Sequence, residues 1–277
     1  MVLSYLVILF ILLFSVFLGI AINYIADYLI MQNLKKQLVC DYCGKPKGFI
    51  LEYILMQRRC TYCGAYFSQR IVLIPILSLL LAIVLLLFKI SWMKWTVVWI
   101  IWIYCCLIFI IDWEIKKIFW VLLKVGIILM ALFGVISHGL APTFWGGVIS
   151  TLIFLVLYIG GLFYKNHFYK NIVVKNLPFS MNDIFLAGCL GLVLGIHLVF
   201  QGLVLSLLFT CVLVLSKTML MLIKHTYNPT TPIPIGSMLC LGAFLVILLS
   251  VLGYKQFCLL NFCMTFAEPS SPFAIFP

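Results

Sequence analysis

Two aspartates and four cysteines are the residues of this 277-residue chain whose types and spacing could do chemistry. Asp112 closes the apolar run Ile108-Phe-Ile-Ile-Asp112 and is followed by Trp113 and Glu114. Asp183 opens the run Asp183-Ile-Phe-Leu-Ala-Gly188-Cys-Leu-Gly191-Leu-Val-Leu-Gly195. A carboxylate inside or beside an apolar span is expensive and is a functional candidate by default. Two carboxylates that share one proton can hydrolyse an amide: one acts as base on a water while its protonated partner polarises the scissile carbonyl, and the two titrate as a unit. Each aspartate also has a structural explanation. Asp183 follows Asn182 at a helix start, where an acid caps the chain and complements the helix dipole. Asp112 stands four positions before Lys116, a common surface pair.

The cysteines form two knuckles, Cys40-Asp-Tyr-Cys43-Gly44 and Cys60-Thr-Tyr-Cys63-Gly64, a zinc-ribbon arrangement. Four thiolates close a tetrahedral Zn²⁺ site with no open position, so the metal would be structural. The glycine after each knuckle tolerates the backbone of a tight turn, and Lys45, Arg58 and Arg59 favour the thiolate forms. Four unconnected thiols, or two disulfides, are the alternatives; a cytoplasmic loop disfavours disulfides. Cys105, Cys106, Cys189, Cys211 and Cys240 lie in apolar runs and read as small buried hydrophobes.

The elements that must position these residues are membrane helices. The chain is 66% hydrophobic and 9% charged, whereas soluble domains carry roughly 25% charged residues. A helix needs about 20 apolar residues to cross the hydrocarbon. Eight stretches fit or nearly fit: 3–23, 71–88, 95–111, 120–137, 146–164, 184–200, 203–223 and 236–253, with a break at Gln201–Gly202. The first lacks the flanks of a signal peptide and reads as a retained span. The net charge of +11 collects in a few connections and not in a nucleic-acid-binding stripe. Lys35, Lys36, Lys45, Lys47, Arg58, Arg59 and Arg70 place the segment Met31–Arg70 in the cytoplasm. Alternation then puts 112–119, 165–183 and 224–235 on the same side, with Lys116, Lys117, Lys165, Lys170, Lys175 and Lys224, and brings Asp112 and Asp183 to one membrane depth although 71 positions separate them. The basic excess suits anionic lipid headgroups. Before the last stretch, Thr231-Pro232-Ile-Pro234-Ile-Gly236 makes a stiff connection, read either as a plain loop or as part of a site mouth.

Taken together, these pieces resemble the type IV prepilin peptidase family, bifunctional leader peptidases and N-methyltransferases of pilus and type II secretion systems. Phe17-Leu-Gly19-Ile-Ala-Ile-Asn23-Tyr24 is similar to that family's first helix; the cysteine pairs sit in its first cytoplasmic loop, with Arg59 before Cys60 and Ser68-Gln-Arg70 after Cys63. Ile111-Asp112 matches the first catalytic motif, Asp183 with Gly191 and Gly195 the second, and Pro234-Ile-Gly236 with Leu239 and Gly242 a later one. Ser180-Met-Asn182-Asp183 stands where the family has Gly-x-Gly-Asp, Phe185 where it has Lys, and Pro75 where a Glu is common. The resemblance implies an all-α polytopic membrane protein of about eight transmembrane helices with a zinc-ribbon-like cytoplasmic loop. It implies residues 1–89 as a methyltransferase-like half, 90–254 as an aspartic peptidase-like bundle and 255–277 as a short tail. The implied activity, with Asp112 and Asp183 catalytic, is removal of the leader from a prepilin or pseudopilin precursor at the cytoplasmic boundary of a bacterial plasma membrane. Methylation of the new amino terminus from S-adenosylmethionine is implied too, although no Gly-rich nucleotide fingerprint accompanies it. A non-catalytic homologue acting as a membrane assembly or scaffold factor is the second expectation, favoured by the missing glycines. A transporter fits less well, since the carboxylates sit at a boundary and no inverted repeat is visible.

Overall fold

The computed structural model describes residues 2–34, 43, 63–64, 69–88, 90–168, 180–223 and 234–253. Those residues form seven helices and no strand: α1 (Val2–Leu34), α2 (Arg70–Leu87), α3 (Trp92–Ile115), α4 (Trp120–His138), α5 (Leu140–Phe168), α6 (Met181–Ile223) and α7 (Ile235–Val251). Six are long and apolar enough to cross a membrane, and α7 is a shorter apolar helix. The chain is therefore an all-α, multi-pass membrane protein. It divides into two compact units, Met1–Trp95 and Thr96–Pro277.

In the first unit α1 packs on α2. Every fourth residue of α1, from Ile11 through Ser15, Gly19 and Asn23 to Asp27, is buried, because that spacing keeps one face of a helix in register. Phe10, Phe14 and Phe17 point outward. The buried stripe is polar, so it needs partners. Asn23 Nδ2 donates to the Gly19 and Arg70 carbonyls, at 3.2 and 3.4 Å, and Asp27 forms an ion pair with Arg70. This pairing carries α1 about a dozen residues beyond the expected end at 23.

In the second unit α6 is the hub, packing on α4, α5 and α7. It is not one rod. Gly195 has φ 63° and ψ 175°, a non-helical conformation inside Met181–Ile223. Leu194 and Gly202 would lie about 12 Å apart along a straight helix, yet a Cβ on Gly202 would stand 2.7 Å from Leu194 Cδ1. The chain therefore turns back on itself at Gly195. Residues 181–194 pack on α4 and α5, where Ser150 Oγ donates to the Ala187 carbonyl at 2.6 Å and Gly146 meets Gly191 backbone to backbone. Residues 196–223 pack on α7, where Ser206 Oγ donates to the Leu239 carbonyl at 3.3 Å.

The break expected at Gln201–Gly202 is thus at Gly195, six residues earlier than the polar residue suggested. The reason lies on another element. The bend interrupts the helical ladder, and His138 Nε2, at the end of α4, sits 3.1 Å from the Val193 carbonyl beside it. Gln201 by contrast continues the helix.

Candidate active site

Both aspartates lie in the second unit, buried to 4% (Asp112) and 6% (Asp183) exposure. Each is held at the amino-terminal end of a helix, where the first backbone N–H groups lack helical partners.

Asp183 sits in the first turn of α6, in a reciprocal cap with Ser180. The Ser180 N–H and Oγ donate to Asp183 Oδ2 at 2.7 and 2.9 Å, and the Asp183 N–H donates back to Ser180 Oγ at 3.3 Å. This is a Ser-x-x-acid capping box. Ser180 therefore has a defined task here.

Asp112 serves a different helix. Its Oδ2 accepts the Ser237 N–H at 2.7 Å. Pro234, at the cap position of α7, makes no side-chain cap of its own, so Asp112 supplies from α3 the acceptor that α7 lacks. Gly236 makes room for it: a Cβ there would stand 2.8 Å from Ile118 Cδ1 and 3.2 Å from Asp112 Oδ2. The carboxylate faces α7, and among the described residues Lys116 makes no ion pair with it. The expected Asp112–Lys116 pair is replaced by the helix cap.

The connection between α3 and α4 joins the two caps. Ile118 presses its side chain against Gly236, and its carbonyl accepts Asn182 Nδ2 at 2.8 Å. Through this residue the start of α6 and the start of α7 are held at the same end of the unit. The two aspartates are buried on either side of it. Asp112 and Asp183 thus lie at the same end of the unit, both buried, with Ile118 touching the start of α7 on one side and the start of α6 on the other.

The cysteine knuckles are described only in part. Cys43 is half-buried and Cys63 exposed, while Cys40 and Cys60 lie outside the described residues. Gly64, after Cys63, takes a left-handed backbone at φ 69°, which the absence of a Cβ permits. Among the described residues no three metal-ligating side chains gather.

A half-buried ion pair, Asp27–Arg70, was not among the expected sites. Its signal was present: an acid within the extended first apolar helix needs a partner. A scan against protein-family models, a search of the curated proteins and a search of the solved structures each return no match.

Proposed function

We propose that the protein is a membrane aspartic endopeptidase that removes the leader of a prepilin-like precursor at the cytoplasmic boundary of a bacterial plasma membrane. The observation that carries the reading is that Asp112 and Asp183, from α3 and α6, are both buried at one end of the unit around Ile118. In this reading the two carboxylates come close enough that they do not both ionise readily, and they share one proton. The ionised partner draws a proton from water, and the protonated partner polarises the carbonyl of the scissile amide. Donors from the α6 and α7 amino termini fix both side chains before substrate arrives, which leaves little reorganisation for the reaction itself.

In this reading the polytopic fold has eight crossings, the two arms of α6 counting separately. Cys40, Cys43, Cys60 and Cys63 hold one structural Zn²⁺. The resemblance extends the function to methylation of the new amino terminus from S-adenosylmethionine, and the substrate is a prepilin or pseudopilin precursor embedded in lipid.

A second reading has a specific observation behind it. Oδ2 of each aspartate is already engaged in a helix cap, as in a non-catalytic scaffold that retains its aspartates for stability. Replacement by asparagine separates the two, because Asn caps a helix as well as Asp does but cannot share a titrating proton. Co-expression with a candidate prepilin, scored by leader removal, is the test. An endopeptidase loses cleavage in Asp112→Asn and Asp183→Asn while both variants stay folded. A scaffold never cleaves, and its assembly role survives both changes.

A further inference from the structure

Asn182 stands beside Asp183 in the first turn of α6, yet the cap of that helix is closed without it, by Ser180 and Asp183. Asparagine is a weak helix former away from the cap position, so α6 itself gives no reason for it. Its side chain serves another element. Asn182 Nδ2 donates to the Ile118 carbonyl at 2.8 Å, across 64 positions of chain.

Ile118 is built to pass that constraint on. It lies in the short connection 116–119 between α3 and α4. Both ends of the connection are tied: the Lys116 N–H donates to the Asp112 carbonyl at 2.9 Å, and the Leu123 N–H donates to the Phe119 carbonyl at 3.3 Å. Ile118 itself is buried, and a close-packed interior transmits a displacement instead of absorbing it. On its other side, Ile118 Cδ1 meets Gly236, where a Cβ would stand 2.8 Å away. Ser237, next to that glycine, donates its N–H to Asp112. An unbroken series of contacts thus runs from Asn182, beside Asp183, through Ile118 to the start of α7, where Asp112 is bonded.

We propose that Asn182 is a positioning residue for the two aspartates: its bond to Ile118 fixes the start of α6, and Ile118 in turn fixes the start of α7. The inference rests on the endopeptidase reading. Asn182 acts through Ile118 and takes no proton itself. Its loss leaves both aspartates present and capped but lets the two helix starts shift relative to each other. A misplacement of about 1 Å between reacting groups costs on the order of 100-fold in rate. Contacts in series are a claim about coupling, which a pair of variants can measure.

The test measures kcat and KM of the full-length protein in one detergent, with the purified candidate prepilin as substrate, and unfolding midpoints of the same samples. Asn182→Ala is expected to lower kcat by roughly 10- to 100-fold with KM unchanged. Ile118→Val, which removes the Cδ1 that meets Gly236, lowers kcat in the same way and carries the test should Asn182→Ala not fold. Because the two contacts act in series, the double variant falls no further than the weaker single one. Ser150→Ala is the control for stability alone. It removes another hydrogen bond to α6, from Ser150 Oγ to the Ala187 carbonyl at 2.6 Å, and leaves kcat unchanged at a comparable loss of stability. Wild-type kcat in Asn182→Ala overturns the proposal. So does an equal fall in Ser150→Ala, which reports general loosening, or a double variant whose loss is the product of the single losses. Absence of cleavage by wild type overturns the endopeptidase reading and the positioning role with it, whereas cleavage by wild type with Asn182→Ala unchanged overturns the positioning role alone.

Discussion

Replacing Asp112 separates its effect on stability from its effect on chemistry. In Asp112→Ala the α7 amino terminus loses its acceptor. The buried Ser237 N–H, now bonded at 2.7 Å, is left without one, at about 1–3 kcal/mol. The charge–dipole interaction at a buried helix start adds about 1 kcal/mol. Pro234 cannot substitute. The alanine variant should therefore be less stable than wild type by about 3 kcal/mol. In Asp112→Asn the amide oxygen accepts the same N–H, and only the charge term is lost, about 1 kcal/mol. Equilibrium unfolding of the purified variants in one detergent system measures both. An alanine variant as stable as the asparagine variant would refute the cap, and with it the explanation of why Asp112 faces α7.

Other expectations follow from the same contacts. Gly195→Ala should destabilise by about 2 kcal/mol, because φ 63° with ψ 175° is a conformation essentially reserved for glycine; unfolding equilibria check it, and a neutral variant would remove the bend. Purified, reduced protein should carry about one Zn²⁺ per chain by elemental analysis, lost on replacing Cys40 and Cys43 by Ser. Metal-free wild type would refute the ribbon. An accessibility reporter within 45–58 should be cytoplasmic and one within 139–143 on the far side; both in one compartment would undo the proposed orientation.

The membrane character of the chain was legible in its composition, since 66% hydrophobic residues leave too little polar surface for water. Helix positions followed from the apolar runs. The two arms of α6 were legible as separate apolar runs, but the turn between them was expected at Gln201–Gly202 and lies at Gly195. Gly195 continues a series with Gly188 and Gly191, which reads as packing, and Gln201 is the more conspicuous interruption. The bend is accompanied by His138 from α4, a tertiary partner that no local pattern reveals. Asp183 as a cap was readable, and the Ser180-x-x-Asp183 spacing contained the whole capping box. The partner of Asp112 was not readable: Ser237 lies 125 positions away, and the visible neighbour at four residues, Lys116, was the wrong one. The polar stripe on α1 was present at spacing four, but Asp27 gained meaning only with Arg70 opposite it.

Leader removal by the Asp183→Asn variant is the most direct measurement of the central claim. Asparagine preserves an acceptor for Ser180 and so keeps the start of α6 formed, while the shared proton is gone. With wild type cleaving a co-expressed prepilin and the variant inserted in membranes at equal level, the account predicts uncleaved precursor in the variant. Full cleavage by Asp183→Asn would contradict it and leave the two buried aspartates as helix caps alone.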